Sequence, residues 1–404
     1  MPIAIFTLGI GVFCLNTTEI MVSGLLPSLS AEFDVSVSTV GYLISIFALG
    51  MVIGGPLLTV ALLRVPRKKA LICLLLVFVL GQALGAVAPE FWVLVIARVV
   101  TALAASAFFG IAVAVSAQLV GPELRGRALS ILLGGVMVAQ VVGLPAASLI
   151  DQRYGWRASF WAVGAVAGLS AVAVAWLVPV TPLPERIDVR GEVAALRNPR
   201  LWAVYCTNAM VIGSIVAGTS YFSPIFVDVG GFSPSAVPWL FAVFGIGTVV
   251  GNAIIGRFVD RYMMPLIFYG LIGVTLCLVA FALVAHHRVA TVVVLVVLGL
   301  IGLPLNPAMG ARVMRVANDG PLVSTVNASA INIGVVLGPW AGGVAISAGA
   351  GLVAALWIGA CMAFIGLLSV APAYAATRRT RLLDTAAVSA VPENNTGRTP
   401  PLNR

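Results

Sequence analysis

Twelve stretches of mainly apolar residues, each long enough to cross a bilayer as a helix, run through this chain near residues 4–28, 38–62, 70–88, 91–116, 128–150, 158–180, 202–227, 236–258, 265–285, 290–314, 323–347 and 352–376. A bilayer core offers no partner for a free N–H or C=O, so a spanning segment must be a helix of about 20 residues or a strand in a closed barrel. These runs are too long and Gly-rich for tilted barrel strands, and they lack the period-2 alternation of a lipid-facing strand. With 61% hydrophobic and 9% charged residues, the chain also lacks the polar surface that a soluble globular fold needs. The expected fold is an all-α polytopic membrane protein of twelve transmembrane helices.

A net charge of +9 would suggest a nucleic-acid partner in a soluble protein, but here its placement speaks to topology and no nucleic acid is expected. On alternate loops, one side collects Arg64, Arg67, Lys68, Lys69, Arg125, Arg127, Arg186, Arg190, Arg197, Arg200, Arg257, Arg261, Arg312, Arg315 and the arginines of the tail. The other side holds Arg153, Arg157 and Arg288. The positive-inside rule then places both termini in the cytoplasm. The expected domains are an N-terminal six-helix half (1–180), a cytoplasmic linker (181–201), a C-terminal six-helix half (202–376) and a disordered cytoplasmic tail (377–404). No cleavable signal is expected, because the first span lacks a short h-region followed by an A-x-A site.

The two halves echo each other. Arg64 and Arg257 end the second and eighth spans, and Pro145 and Pro339 interrupt Gly-rich fifth and eleventh spans, at nearly equal offsets. A duplicated six-helix unit follows, and such folds place their cargo near the midplane between the repeats. The architecture expected is two pseudo-symmetric halves around a central cavity. The five cysteines are scattered through the spans, and His286 and His287 are neighbours in an external turn with no acidic partner nearby. No disulfide framework, metal site or cofactor is expected.

Glu19 and Arg98 are the formal charges that fall well inside the apolar runs rather than at their ends, and an intramembrane ionisable residue is a functional site by default. At 1.5 Å per residue, Glu19 lies roughly 13 Å and Arg98 roughly 10 Å below the same outer surface. A Glu near an Arg at similar depth in low dielectric is mutually stabilising. Asn16, Glu19 and Ser23 follow i, i+3, i+7 spacing and form one polar stripe, which should face the cavity. A carboxyl there could load a proton on one side and release it on the other, each proton gaining about 2.3 kcal/mol per 100 mV of membrane potential. The alternative is a structural pair that locks two helices, with Arg98 alone satisfying backbone carbonyls. The seventh span has Ile212 at the position equivalent to Glu19 and no matching acid. Asn208, Asn252, Asn306, Asn327 and Asn332 are candidate cavity polars, with interhelical hydrogen bonding as the competing role for each.

Several motifs resemble those of the major facilitator superfamily, and of its twelve-span drug:proton antiporter branch. Gly256 to Arg261 reads GxxxDR, similar to the family's cytoplasmic loop motif, whereas the first-half copy has Leu63 where Asp is usual. Arg98 with Ala102 resembles the RxxxG motif of the fourth span. Leu144, Pro145 and Ala146 partly match the antiporter motif of the fifth, and the run Gly155 to Phe160 is typical of the branch. TTEIMVSGLLPSL from Thr17 to Leu29 and GGPLL from Gly54 to Leu58 look like the amphenicol exporters of actinobacteria.

The resemblance implies a proton-coupled exporter of a small hydrophobic antibiotic, such as a chloramphenicol-like compound, working by alternating access in a bacterial inner membrane. Within that reading, the placement of the residues makes Glu19 and Arg98 the candidates for proton coupling, Asn16, Ser23, Asn208 and Asn306 those for cargo, and Gly143, Pro145, Gly338 and Pro339 those for bending helices to gate the cavity, while the resemblance adds Arg257, Asp260 and Arg261 to the gate. Efflux of a sugar or nucleoside by the same fold is the alternative, although a sugar site would want more hydrogen-bonding side chains than this cavity carries. The glycines have a second reading as simple close-packing positions. The partners expected are a small-molecule cargo, protons and lipid, with the chain acting as a monomer. An ATP-driven pump lacks its P-loop, a channel its filter or charge rings, and an enzyme its nucleophile and base.

Overall fold

The computed structural model describes residues 1–62, 65–180, 197–316 and 321–389. Its twelve helices long and apolar enough to span a membrane are α1 (Ile3–Phe33), α2 (Val37–Gly55), α3 (Arg67–Ala86), α4 (Phe91–Gln118), α5 (Arg125–Tyr154), α6 (Trp156–Leu177), α7 (Pro199–Thr219), α8 (Pro234–Val259), α9 (Arg261–Val284), α10 (Arg288–Val316), α11 (Val326–Ala350) and α12 (Ala354–Ala375). They match the twelve apolar runs one for one, and no strand occurs among the described residues. The helix of α12 continues to Ser389. Arg64, residues 181–196 of the expected linker and residues 390–404 of the expected tail lie outside the described residues.

Lipid tails are as apolar as leucine, so helices in a bilayer are held by close packing rather than by expulsion of water. Here that packing is built twice. In the first half α1 lies against α2, α4, α5 and α6, and in the second α7 lies against α11 and α12. A Cβ on Gly135 of α5 would stand 2.4 Å from the carbonyl oxygen of Gly9 on α1. A Cβ on Gly334 of α11 would stand 2.0 Å from that of Ala209 on α7, and one on Gly338 would stand 2.3 Å from that of Gly213. Only glycine allows these backbones to touch. The halves meet along two seams, α2 against α11 and α5 against α8.

Two helices, α5 and α10, are interrupted, each beside a proline that removes a backbone hydrogen bond. In α5 a π-turn, Ala139–Gly143, directly precedes Pro145, which has no N–H to donate. In α10 the helix ends at Ile301, passes through a 3-10 turn at Leu303–Leu305 containing Pro304, and restarts at Asn306. Between α8 and α9 the chain stays helical from Val237 to Val284 apart from one non-helical residue, Tyr262. By contrast, α11 stays helical through Pro339.

One end of the bundle carries Arg67, Arg125, Arg127, Arg261 and Arg315, and is called the basic end below. At the opposite end the halves are shut against each other. Ser347 of α11 hydrogen-bonds Ser38 of α2 at 2.8 Å, and the Ser45 hydroxyl donates to the Val336 carbonyl at 2.9 Å. A Cβ on Gly343 would meet both the Tyr221 hydroxyl and the Tyr42 ring at 2.8 Å. Across the second seam, the Gln152 amide donates to the Pro234 carbonyl at 2.6 Å.

Candidate functional site

Between the two halves lies a cavity of about 840 Å³, within the range that holds drug-sized ligands. Leu62, Val65 and Arg67 belong to its wall, so it runs to the basic end while the opposite end is closed. Most of the wall is aliphatic or aromatic, including Phe108, Phe109, Phe222, Phe241 and Phe244. Glu19 is the acid on this wall among the described residues, and Arg67, at the mouth, is the base.

The polar stripe of α1 faces as its spacing predicts, since Asn16, Glu19 and Ser23 all line the cavity. Arg98 does not. It is fully buried behind α1, where one terminal nitrogen donates to the Thr18 carbonyl at 2.6 Å and the other to the Glu19 carbonyl at 3.3 Å. Its guanidinium also sits 4.2 Å from the centre of the Phe47 ring. Arg98 therefore grips the backbone of Glu19 rather than its carboxylate. The ion pair formed among the described residues is a different one, Arg157 with Glu32 at 2.7 Å. A carbonyl oxygen has a second lone pair beyond its helical bond, so α1 can accept from both terminal nitrogens without unwinding, while Nε has no partner among the described residues. Gln82 of α3 completes the clasp by donating its amide to the Thr18 hydroxyl. The arrangement holds the segment that carries Glu19 from behind and leaves the carboxylate to the cavity.

In the second half Asn306 lines the cavity as the first residue of α10 after its break. Asn332 lines it as well. Asn208 departs from its expected role in cargo contact. It is 1% exposed and off the wall, and its amide donates to Asn327 Oδ1 at 2.7 Å, joining α7 to α11. A bond between two helices is the competing role recognised for such residues, although Asn208 Oδ1 itself has no partner among the described residues.

The expected gating residues divide. Gly143 abuts Thr17, where a Cβ would come 2.3 Å from the hydroxyl, and Gly338 abuts Gly213, so both are close-packing positions. Pro145 lies just beyond the π-turn, and the Pro339 carbonyl accepts a hydrogen bond from the Tyr221 hydroxyl at 2.9 Å. Arg257 is exposed, Arg261 lies 5.4 Å from the Tyr262 ring centre, and the Asp260 side chain falls outside the described residues. Gln140 was not anticipated from the sequence. It sits in the π-turn of α5 and lines the cavity. An amide inside an apolar span one turn ahead of Gly143 and Pro145 was the available signal.

The Major Facilitator Superfamily model matches residues 8–320 and 231–394 of the chain. Inner membrane transport protein YdhP of Escherichia coli K12 is 33% identical over 91% of this chain and 94% of its own. A chloramphenicol resistance protein of Streptomyces lividans is 31% identical over 92% and 96%. Among solved structures, a bacterial homolog of the human lysosomal transporter Spinster, in an inward-facing and unoccupied conformation, superposes with a TM-score of 0.74 over 94% of this chain and 97% of its own, at 18% identity. Twelve helices in two packed halves, a cavity between them and family matches along nearly the whole length make the chain a member of the Major Facilitator Superfamily, a transporter rather than an enzyme.

Proposed function

We propose that the protein exports a small, neutral, hydrophobic antibiotic of the chloramphenicol type in exchange for protons, from the cytoplasm of a bacterium across its inner membrane. The observation that carries this reading is a lone carboxylate, Glu19, on an otherwise largely apolar cavity wall, with its backbone clasped by a buried arginine. The basic end is the cytoplasmic one by the positive-inside rule, so the state described is open to the cytoplasm and ready to take cargo. Glu19 receives a proton when the cavity faces outward and gives it up when the cavity faces inward. With a neutral cargo each proton carries net charge inward, so export draws on the membrane potential as well as the pH gradient. The likeness to the Streptomyces lividans protein supports an amphenicol as the cargo to try first.

The test is accumulation of labelled chloramphenicol in an efflux-deficient host with and without the protein, before and after an uncoupler. The expected result is lower accumulation with the protein, abolished by the uncoupler. Equal accumulation of chloramphenicol, together with extrusion of a pentose or nucleoside, would replace the amphenicol reading with sugar or nucleoside efflux.

A further inference from the structure

We infer that the cavity selects cargo by its hydrogen-bond donors, using acceptor oxygens on Asn16 of α1 and Asn332 of α11, one from each half of the molecule. The inference rests on the amphenicol reading for the body of the cargo and adds what the site demands of its polar groups. Both asparagines line the cavity. The side-chain amide of Asn16 lies 3.4 Å from the Val12 carbonyl, and that of Asn332 lies 3.1 Å from the Ala328 carbonyl. Two acceptors cannot hydrogen-bond each other, so the atom facing each carbonyl is the NH₂ group. Each amide is thereby tethered to its own helix, one turn back, through a donor. Its Oδ1 makes no such bond and is left to the cavity together with the second N–H.

Glu19, one turn from Asn16 on the same stripe, adds further acceptor oxygens. Ser106, also on the wall, commits its hydroxyl hydrogen to the Leu103 carbonyl at 2.7 Å and so offers a lone pair as well. The guanidinium of Arg98, the strongest donor near the site, is turned to the backbone behind α1. Arg67 at the mouth and the amides of Gln140 and Asn306 supply donors elsewhere on the wall, so the acceptor bias belongs to Asn16, Glu19, Ser106 and Asn332. A matched cargo has an apolar or aromatic body to meet the phenylalanines and several O–H or N–H groups to meet the oxygens, so that each donor removed lowers its affinity. An acceptor-only molecule of the same size would leave the oxygens stripped of water and unpaired, a cost that a donor removes. Because Asn16 and Asn332 belong to opposite halves, a cargo that donates to both ties the halves together, the differential contact that a ligand needs in order to bias a two-state transporter.

The test uses two probes of nearly equal size, thiamphenicol and florfenicol, the second carrying fluorine where the first has a hydroxyl. Their affinities are measured on the purified full chain in detergent, for the native protein and for Asn16→Leu and Asn332→Leu. The native protein should bind thiamphenicol about five-fold more tightly, the size of one net hydrogen bond. The preference should fall toward one in at least one variant. A native preference below two-fold, with both compounds bound, overturns the inference while leaving the amphenicol reading standing, and it needs no variant to fold. A preference that persists unchanged in both variants overturns the assignment to Asn16 and Asn332. Binding of neither compound overturns both this inference and the amphenicol reading.

Discussion

The two halves share a packing plan but not a chemistry. α5 is seated on α1 through Gly135 and Gly143, and α11 is seated on α7 through Gly334 and Gly338, with backbone touching backbone in both. Where α1 exposes Glu19 to the cavity, α7 has Ile212, and where Arg98 clasps α1 from behind, the buried polar contacts of α7 are neutral, among them the amide bond of Asn208 with Asn327. Packing duplicates readily because it depends only on small residues at the right spacing. A buried carboxylate does not, because each copy would add a desolvation cost. The comparison suggests that one half carries the proton while both shape the cavity.

The largest effect should come from removing the chemical difference. Glu19→Gln keeps the shape of a protonated acid, so binding of drug should survive while drug exclusion from cells collapses to the level of uncoupled cells. Adding Ile212→Glu to that variant should not restore export, since α7 lacks the clasp. Full export by Glu19→Gln would place the coupling site elsewhere and dissolve the contrast between the halves.

Next in size is the clasp itself. Arg98→Leu leaves the second lone pairs of the Thr18 and Glu19 carbonyls without their partner and opens a void beside Phe47, at a cost of about 3 kcal/mol. Thermal unfolding in detergent should show a clear loss of stability, with Arg98→Lys intermediate. Asn208→Leu, the nearest equivalent in the second half, should cost less, about 1–2 kcal/mol, because its partner is neutral. Equal losses would mean that the charge adds nothing to the packing of α1.

Smaller again, and equal between halves, should be the effect of one methyl at the helix contacts. Gly135→Ala and Gly334→Ala each push a Cβ onto a backbone oxygen, and overpacking of this kind costs about 1–3 kcal/mol. Matching losses would sharpen the view that the packing is duplicated, and a loss confined to one half would contradict it. Smallest of all should be Glu32→Gln. Its ion pair with Arg157 is 41% exposed on both sides, so a change within about 1 kcal/mol is expected in the same assay.

The twelve helices were legible because the bilayer requirement writes itself into hydropathy, and α1's polar face was legible because i, i+3, i+7 spacing admits one geometry. The partner of Arg98 was not, since its acceptors are main-chain carbonyls, which every residue possesses and no side-chain pattern marks. Asn208 and Asn306 are the same residue type in the same half, and only the break at Gly302 to Leu305 and the neighbouring Asn327 separate a cavity wall from a buried pair. Gln140 was hidden for a related reason. A π-turn inserts one residue into the helical register, so a face counted at 3.6 residues per turn drifts beyond that point.

The closed end of the bundle has a further consequence. Ser38 with Ser347, Ser45 with the Val336 carbonyl, Gln152 with the Pro234 carbonyl and the tyrosine-glycine contact at Gly343 are all uncharged. Dissolved ions weaken attraction between exposed charges, most of all beyond a Debye length, but leave neutral hydrogen bonds and snug sterics nearly untouched. An organism whose surroundings swing between dilute and briny water would find this latch equally easy to release in either, so that the cycle answers to cargo and proton rather than to the salinity outside.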